Sequence, residues 1–489
     1  MSVLNSKLHV FMASSEITPF AKSGGLGDVL GSLPYVLQNI GLRVSLVMPA
    51  YRSVIRGDYS PEDTGIRFSI PVSNKKVEAI LLKMRTNSDI PLYFIRADRY
   101  FDRDQLYGTP DNEYGDNAER FIFFSRAVLE VLKFDPPQIL HAHDWQSALS
   151  IVFVKAQPHL YPVISTTKTL FTIHNLGYQG IFWDKDWHLL NLDKKFFTFR
   201  YLEFYNKINF LKGGVVFADA INTVSPTYAE EIKTKEYGFG LEGVFQERRK
   251  DLTGILNGAD YNVWSPETDI FIKEKFSVKN FAGKKACKAD LQRIFNLPRD
   301  ANIPVIGMVS RLVEQKGFDL LEEMFSKLLV RNIQFVLLGS GENKYQEFFY
   351  NMAKKYPEKI SVRIAFIESL AHSLIAGSDL FLMPSRYEPG GLTQIYSLRY
   401  GTVPVVRATG GLKDTVKEFN FDTRQGNGFV FDAYKAKNLL LAIDRALNCF
   451  INHKDYWNII MKNGMQADYS WERSARAYHA LYRKILAEK

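Results

Sequence analysis

Short apolar runs recur along this chain, each closing in a polar loop and followed by roughly a dozen residues of helical pattern. Leu8–Ala13, Arg43–Pro49, Ile90–Ile95, Ile139-Leu140, Thr169–Ile173 and Ala220–Val224 make a first series. Val305–Val309, Gln334–Leu338, Leu380–Met383 and Val403–Val406 make a second. Strand, helical crossover and strand at such spacing build a parallel sheet, because the crossover is right-handed and returns to the same sheet. Between the two series, turn residues cluster over Asn257–Thr268 without strong periodicity, which marks a domain crossing. A chain of 489 residues is also too long for a single core. The expectation is an α/β protein of two facing, doubly wound, Rossmann-like domains, 1–256 and 257–470, with the active site in the cleft between them.

Charge and cysteine usage narrow the function. The net charge of +9 is spread along the chain with no long Lys/Arg run, which favours anionic ligands weakly and nucleic acid hardly at all, so no nucleic-acid partner is expected. Cys287 and Cys449 lie too far apart in sequence to suggest a disulfide framework or zinc-ligand spacing. No segment reaches membrane-spanning length, and Leu8–Ala13 is too short for a signal peptide, so a cytoplasmic protein without a membrane partner is expected.

In an open parallel sheet, ligands collect beyond the carboxyl ends of the strands. Pro384–Gly401 follows the run Leu380–Met383 and presents Arg386 and Glu388, before Gly390-Gly391 open a helix near Leu392. Free amides and the helix dipole make such a connection an anion cradle with a carboxylate at its mouth. A second cradle follows the first strand: A-K-S-G-G-L-G-D, with Lys22 beside Gly24, Gly25 and Gly27, leads into a helix from about Gly27 to Ile40. The glycines allow a sharp turn and close approach of a ligand. Its spacing is neither the dinucleotide nor the triphosphate fingerprint. Either loop alone would also read as a plain tight connection.

Other polar residues stand at equivalent edges. Asp144 follows Ile139-Leu140, and His174 follows Thr169–Ile173. Arg311 and Lys316 follow Val305–Val309. Arg grips phosphate with a planar fork and Lys acts as a point charge, so these two and Lys22, set across a cleft, would hold a pyrophosphate and stabilise charge as it leaves. Asp102-Arg103-Asp104 and Asp184-Lys185-Asp186 have a metal-binding spacing, but they sit in polar loop sequence and read as solvated charges.

K-S-G-G-L at Lys22–Leu26, H-A-H-D-W at His141–Trp145, T-I-H-N-L-G-Y-Q-G at Thr172–Gly180, L-N-G-A-D at Leu256–Asp260, S-R-L with Q-K-G at Ser310–Gly317, and S-R-Y-E-P-G-G-L-T-Q at Ser385–Gln394 resemble the bacterial glycogen synthase and plant starch synthase family. The motifs span essentially the whole chain in the family's order. The resemblance implies a GT-B fold, with the C-terminal helix 471–489 joining the first domain. It implies retaining transfer of glucose from ADP-glucose to the non-reducing end of glycogen or a maltooligosaccharide. It implies that Lys22, Gly25 and Asp28 contact the donor, that Arg311 and Lys316 steady the diphosphate, and that Glu388 lies close to the transferred glucose. Gly391, Leu392 and Thr393 would hold phosphate or sugar hydroxyls. His174 would stand beside the glucose ring, and Asp144, Asn257 and Tyr107 would line the cleft. No metal or pyridoxal phosphate cofactor is implied. The sequence departs from the family pattern at Ser23, Gly390 and Phe366. The lost phenol at Phe366, near the base, leaves UDP-glucose open as donor, and a non-catalytic glucan-binding protein on this scaffold would be expected to have lost Glu388, Lys22 or the Arg311–Lys316 pair.

Overall fold

A computed structural model describes residues 7–109 and 112–488; residues 1–6 and 489, at the ends of the expected domains, lie outside it. The chain forms two compact units. One runs to Val224, resumes over Ala229–Ile255 and takes in the segment from Trp471; the other holds Ser225–Tyr228 and Leu256–Ser470.

The first unit is built on strands β1 (His9–Ala13), β2 (Arg43–Pro49), β3 (Glu62–Val72), β4 (Lys75–Arg85), β5 (Pro91–Arg96), β6 (Ile139–His143) and β7 (Lys168–Ile173). It also holds β8 (Ile181–Trp183), β9 (Glu203–Phe204), β10 (Lys207–Asn209), β11 (Ala220–Thr223) and β12 (Leu252–Gly254). Nine of these form one sheet in the order β12-β11-β7-β6-β1-β2-β5-β4-β3. From β12 to β5 all neighbours are parallel, with Val10 opposite both Val44 and Ile139. β1 and β6 are buried along their whole length, as a sheet covered on both faces requires. Strand order reverses between β1 and β6, which opens a crevice at their carboxyl ends.

Two features depart from the plain alternation read in the sequence. The edge is an antiparallel hairpin, β3 with β4, that pairs on to β5. Its residues Arg67–Val72 alternate exposed and buried positions, the signature of a strand wetted on one face. The short strands β8, β10 and β9 form a separate antiparallel sheet. The helix Asn117–Leu132 is buried on every side, including Arg120 and Arg126, and the helix Trp471–Ala487 packs against Gly25–Asn39.

The second unit carries β13 (Val305–Val309), β14 (Gln334–Leu338), β15 (Ile360–Arg363), β16 (Leu380–Met383), β17 (Val403–Arg407) and β18 (Phe429–Phe431). They make one all-parallel sheet in the order β15-β14-β13-β16-β17-β18. Successive residues feed two cores. Ile306, Leu380, Leu382 and Val405 pack with the helices Phe318–Leu328 and Ala436–Asn452, while Val305, Phe381, Met383 and Val406 pack with Ala282–Ile294 and Glu368–Gly377. The order reverses between β13 and β16, so their two loops meet at this unit's crevice.

Candidate functional site

The loops after β13 and β16 interlock. Arg386 N donates to Gln315 O at 2.8 Å, and Gln315 Nε2 donates to Tyr387 O at 3.3 Å. Gly317 has φ +80°, and a Cβ there would lie 2.2 Å from Pro384 O, so only glycine lets the first loop rest on the second. This docking aims Lys316 at Glu388, with Nζ donating to both carboxylate oxygens at 2.7 and 2.9 Å. Ser385 Oγ donates to Glu388 Oε2 at 2.9 Å. The pair is poorly solvated, with the Glu388 side chain 6% exposed and that of Lys316 19%. Arg311 is exposed near the start of the same loop, two residues beyond β13.

The backbone of Glu388 is held by a third loop. Gly411 N donates to Glu388 O at 3.0 Å, and a Cβ on Gly411 would meet Gly390 O at 1.8 Å. Gly391 adopts φ +64°, after which Leu392 caps the helix Thr393–Arg399. Gln394 Nε2 donates to the carbonyls of Gly390 and Gly391 at 3.1 and 3.2 Å. Residues 391–393 are half-buried.

In the first unit the loop after β1 folds around Glu16, which is 3% exposed. Its carboxylate accepts from Ser23 N and Ser23 Oγ at 2.6 Å, from Gly24 N at 3.3 Å and from Tyr107 OH at 2.7 Å. The loop so fixed carries Lys22, whose Nζ lies 2.6 Å from Asp28 Oδ1 in the first turn of the helix Gly25–Asn39. The turn expected of Gly24 and Gly25 does not need glycine. Neither has a positive φ, and among the described residues nothing beyond the neighbouring backbone lies within 4 Å of a Cβ placed there. The tight glycine is Gly27, whose Cβ would sit 3.2 Å from Lys22 and Thr18.

Asp144 and His174 come together at the carboxyl ends of adjacent strands β6 and β7, where Asp144 Oδ1 accepts from His174 N at 2.7 Å. Asp144 adopts φ +55°, the left-handed region that side chains seldom enter, and such strain collects at working sites. Burial pushes its carboxyl up to about 7, against the opposing hydrogen bond from the His174 amide. Burial likewise pushes the His174 imidazole down to about 3, so it is neutral at physiological pH. Behind it, His174 Nε2 lies 3.0 Å from His143 Nδ1, and the rings of His143 and His141 are 4.0 Å apart. His141 Nδ1 lies 2.9 Å from Tyr482 OH on the C-terminal helix.

Tyr107 is half-buried, its hydroxyl committed to Glu16 and Ser15 and its ring tilted on Phe121 and Trp145. Asn117 Nδ2 and the buried Arg120 guanidinium hold this segment by its carbonyls at Tyr107, Leu106 and Tyr100. Asn257 is buried, with no partner for Oδ1 among the described residues. Asp102 is tied to Arg52 and Arg56, and Asp104 to Arg52.

The sequence reading gives no role to Glu16, Ser385, His143 or Arg120. Ser385 and His143 lie inside the quoted motifs, where their spacing from Glu388 and Asp144 was a usable signal. Glu16 and Arg120 had none, because burial alone distinguishes them from solvated charges.

A family model described as the starch synthase catalytic domain matches residues 9–247, and one described as glycosyl transferases group 1 matches 292–459. The chain is 46% identical to a glycogen synthase of Koribacter versatilis, with 98% of each chain covered. It is 44% identical to a glycogen synthase of Pseudothermotoga lettingae, covering 99% of this chain and 100% of that one. Among solved structures it matches the catalytic domain of starch synthase IV from Arabidopsis thaliana bound to ADP and acarbose. That match has a TM-score of 0.90 and 32% identity and covers 99% of this chain and 100% of that one. A sucrose-phosphate synthase from Thermosynechococcus elongatus shares the fold, with a TM-score of 0.62 at 17% identity and the same coverage. No helix among the described residues is long and apolar enough to cross a membrane.

Proposed function

The chain belongs to the glycogen synthase and starch synthase family of glycosyltransferases, with the GT-B fold, and from that premise we propose that it transfers glucose from ADP-glucose to the non-reducing end of an α-1,4-glucan with retention of configuration. The Arabidopsis starch synthase bound to ADP and acarbose supports an adenine nucleotide on the donor side and a glucan, glycogen or maltooligosaccharide, as acceptor. The proposal places the reaction in the cytoplasm, without metal, pyridoxal phosphate or nucleic acid.

The observation that carries this reading is the ammonium of Lys316 straddling both oxygens of Glu388 where the strand order reverses. An ammonium has three N–H donors. Two of them meet Glu388, and the third is left to serve a donor phosphate. In this reading Arg311 and Lys316 steady the departing diphosphate, and Lys22, its position set by Asp28, contacts the donor. Gly25 leaves space beside the donor, and Gly391, Leu392 and Thr393 offer amides to phosphate or sugar hydroxyls. His174 stands beside the glucose ring, while Asp144, Asn257 and Tyr107 shape its surroundings. The acceptor hydroxyl attacks on the face the diphosphate leaves, and its proton passes to that phosphate. Glu388 stabilises positive charge on the sugar. Its oxygens are engaged by Lys316 and Ser385, which lowers their nucleophilicity and favours charge stabilisation over a covalent intermediate.

Purified protein is expected to release ADP from ADP-glucose only when glycogen or a maltooligosaccharide is present, with the glucan lengthened by α-1,4-linked glucose. Equal or faster turnover with UDP-glucose would overturn the donor assignment. Glucan binding without transfer from either donor would overturn the enzyme assignment.

A further inference from the structure

His143 is a residue to which the proposed reaction gives no task, yet the structure builds it in with care. It ends β6, and its backbone is locked by Ser147, whose Oγ accepts from His143 N at 2.7 Å and donates to His143 O at 2.8 Å. Both it and His141 are fully buried, and burial holds both imidazoles well below the ordinary histidine range. With all three histidines neutral, each ring carries one proton, and the hydrogen bonds decide on which nitrogen.

The deeper half of the network can be counted atom by atom. Asn222 Nδ2 donates to Tyr478 OH at 3.1 Å, which leaves Asn222 Oδ1 to accept the single hydroxyl proton of Thr172. Thr172 Oγ1 must then accept from His141 Nε2, and His141 Nδ1 accepts from Tyr482 OH. His141 therefore carries its proton on Nε2 and has none to pass to its neighbour.

The shallower half has two arrangements. If His174 Nε2 donated to His143 Nδ1, the His143 proton would stand on Nε2, which is buried without a partner among the described residues. A buried N–H with no acceptor is among the rarest features of a folded protein. If His143 Nδ1 donates to His174 Nε2, the orphan on His143 is a lone pair, which is tolerated better. We propose that His143 is a positioning residue that donates from Nδ1 to His174 Nε2. It thereby fixes His174 as the tautomer protonated on Nδ1, which presents a hydrogen-bond donor to an oxygen of the bound sugar. Nε2 of His174 is occupied, so any ligand contact runs through Nδ1. The site is built to recognise an acceptor oxygen there and to reject a group that can only donate.

The inference rests on the reading of His174 as the sugar-side residue, but its test does not depend on turnover. In ligand-free protein labelled with 15N-histidine, long-range proton–nitrogen correlation distinguishes the two ring nitrogens, and His174→Asn identifies the His174 signals by their loss. The expected pattern is a protonated, pyrrole-type Nδ1 and a pyridine-type Nε2 on His174, unchanged across neutral pH. The opposite pattern, or an average of the two, overturns the proposal even if the enzyme is active. The companion variants separate donation from packing. His143→Asn retains an N–H near the position of Nδ1 and is expected to preserve the His174 pattern and to keep kcat/KM within about threefold. His143→Leu removes the donor and is expected to give mixed His174 tautomers with kcat/KM lowered about tenfold or more. A His143→Leu variant that keeps a pure Nδ1–H pattern would sink the positioning role. Absence of glucosyl transfer in wild-type protein with the expected tautomer would count against the proposed function alone.

Discussion

Lys316 and Glu388 sit on loops 72 residues apart in the chain, yet the ammonium of one lies within 2.9 Å of both carboxylate oxygens of the other. Adjacent strands β13 and β16 create this meeting; Gly317 allows their two loops to close on each other, and Gly411 lets the loop after β17 hold the backbone of Glu388. Breaking a desolvated pair by removing one partner is strongly destabilising, on the order of 3 kcal/mol or more, because a charge is left buried and unpaired. Glu388→Ala is expected to abolish nearly all ADP release from ADP-glucose and to lower the melting temperature. Removing the ammonium as well, in Glu388→Ala with Lys316→Met, should recover most of the stability and none of the activity. Full turnover in the single variant would show that Glu388 has no chemical task.

Asp144 gives a pH signature. Its folded-state carboxyl is raised to about 7 by burial, so the folded protein holds this proton to higher pH than the unfolded chain does. The sign follows: stability is lost as pH rises from about 4 through about 7. Asp144→Asn keeps an oxygen for the His174 amide without the charge. Relative to wild type it should gain stability across that window, by on the order of 4 kcal/mol at its upper end. Chemical denaturation at several pH values reads the difference, and a difference independent of pH would contradict the assignment.

His174 is held neutral by burial, its imidazole pushed down to about 3. The profile of kcat/KM between about pH 5 and 8 should therefore show no step that disappears in His174→Asn, although the variant loses activity at every pH. A limb near the ordinary histidine value, present only in wild type, would mean that His174 titrates.

Glu16 organises the loop that bears Lys22 through four donors from Ser23, Gly24 and Tyr107. Glu16→Gln keeps one acceptor oxygen and turns a proton-bearing nitrogen toward the remaining donors. The cost of about 1.5 kcal/mol for a lost charge-assisted bond should appear as a roughly tenfold higher KM for ADP-glucose. An unchanged KM would mean that the loop does not touch the donor.

Two glycines differ in what a Cβ would meet, which separates a packing role from the proposed donor role. Gly411→Ala should yield little folded protein, since its Cβ would stand 1.8 Å from Gly390 O. Gly25→Ala meets nothing within 4 Å and opens a helix, so its melting temperature should hold or rise while the KM for ADP-glucose increases. An unaltered KM in that variant would remove Gly25 from the donor site.

By itself the sequence determined the α/β class, because apolar runs alternating with helical patterns admit few other arrangements. It also placed Glu388, Lys316, His174 and Asp144 at the carboxyl ends of strands, since residues closing an apolar run must emerge at a sheet edge. Local pattern could not show which edges are neighbours. Strand order is set by long-range pairing, so only the fold showed that β13 lies beside β16 and β6 beside both β1 and β7. It likewise decided which charges are buried. Arg120 on a helix and Glu16 in a loop stand in no motif that marks them, and each becomes an organising group once surrounding elements exclude water and supply its partners. The protonation of the histidines belongs to the same class of fact: residue identity provides an imidazole, and the partners brought to it by tertiary structure decide which nitrogen holds the proton.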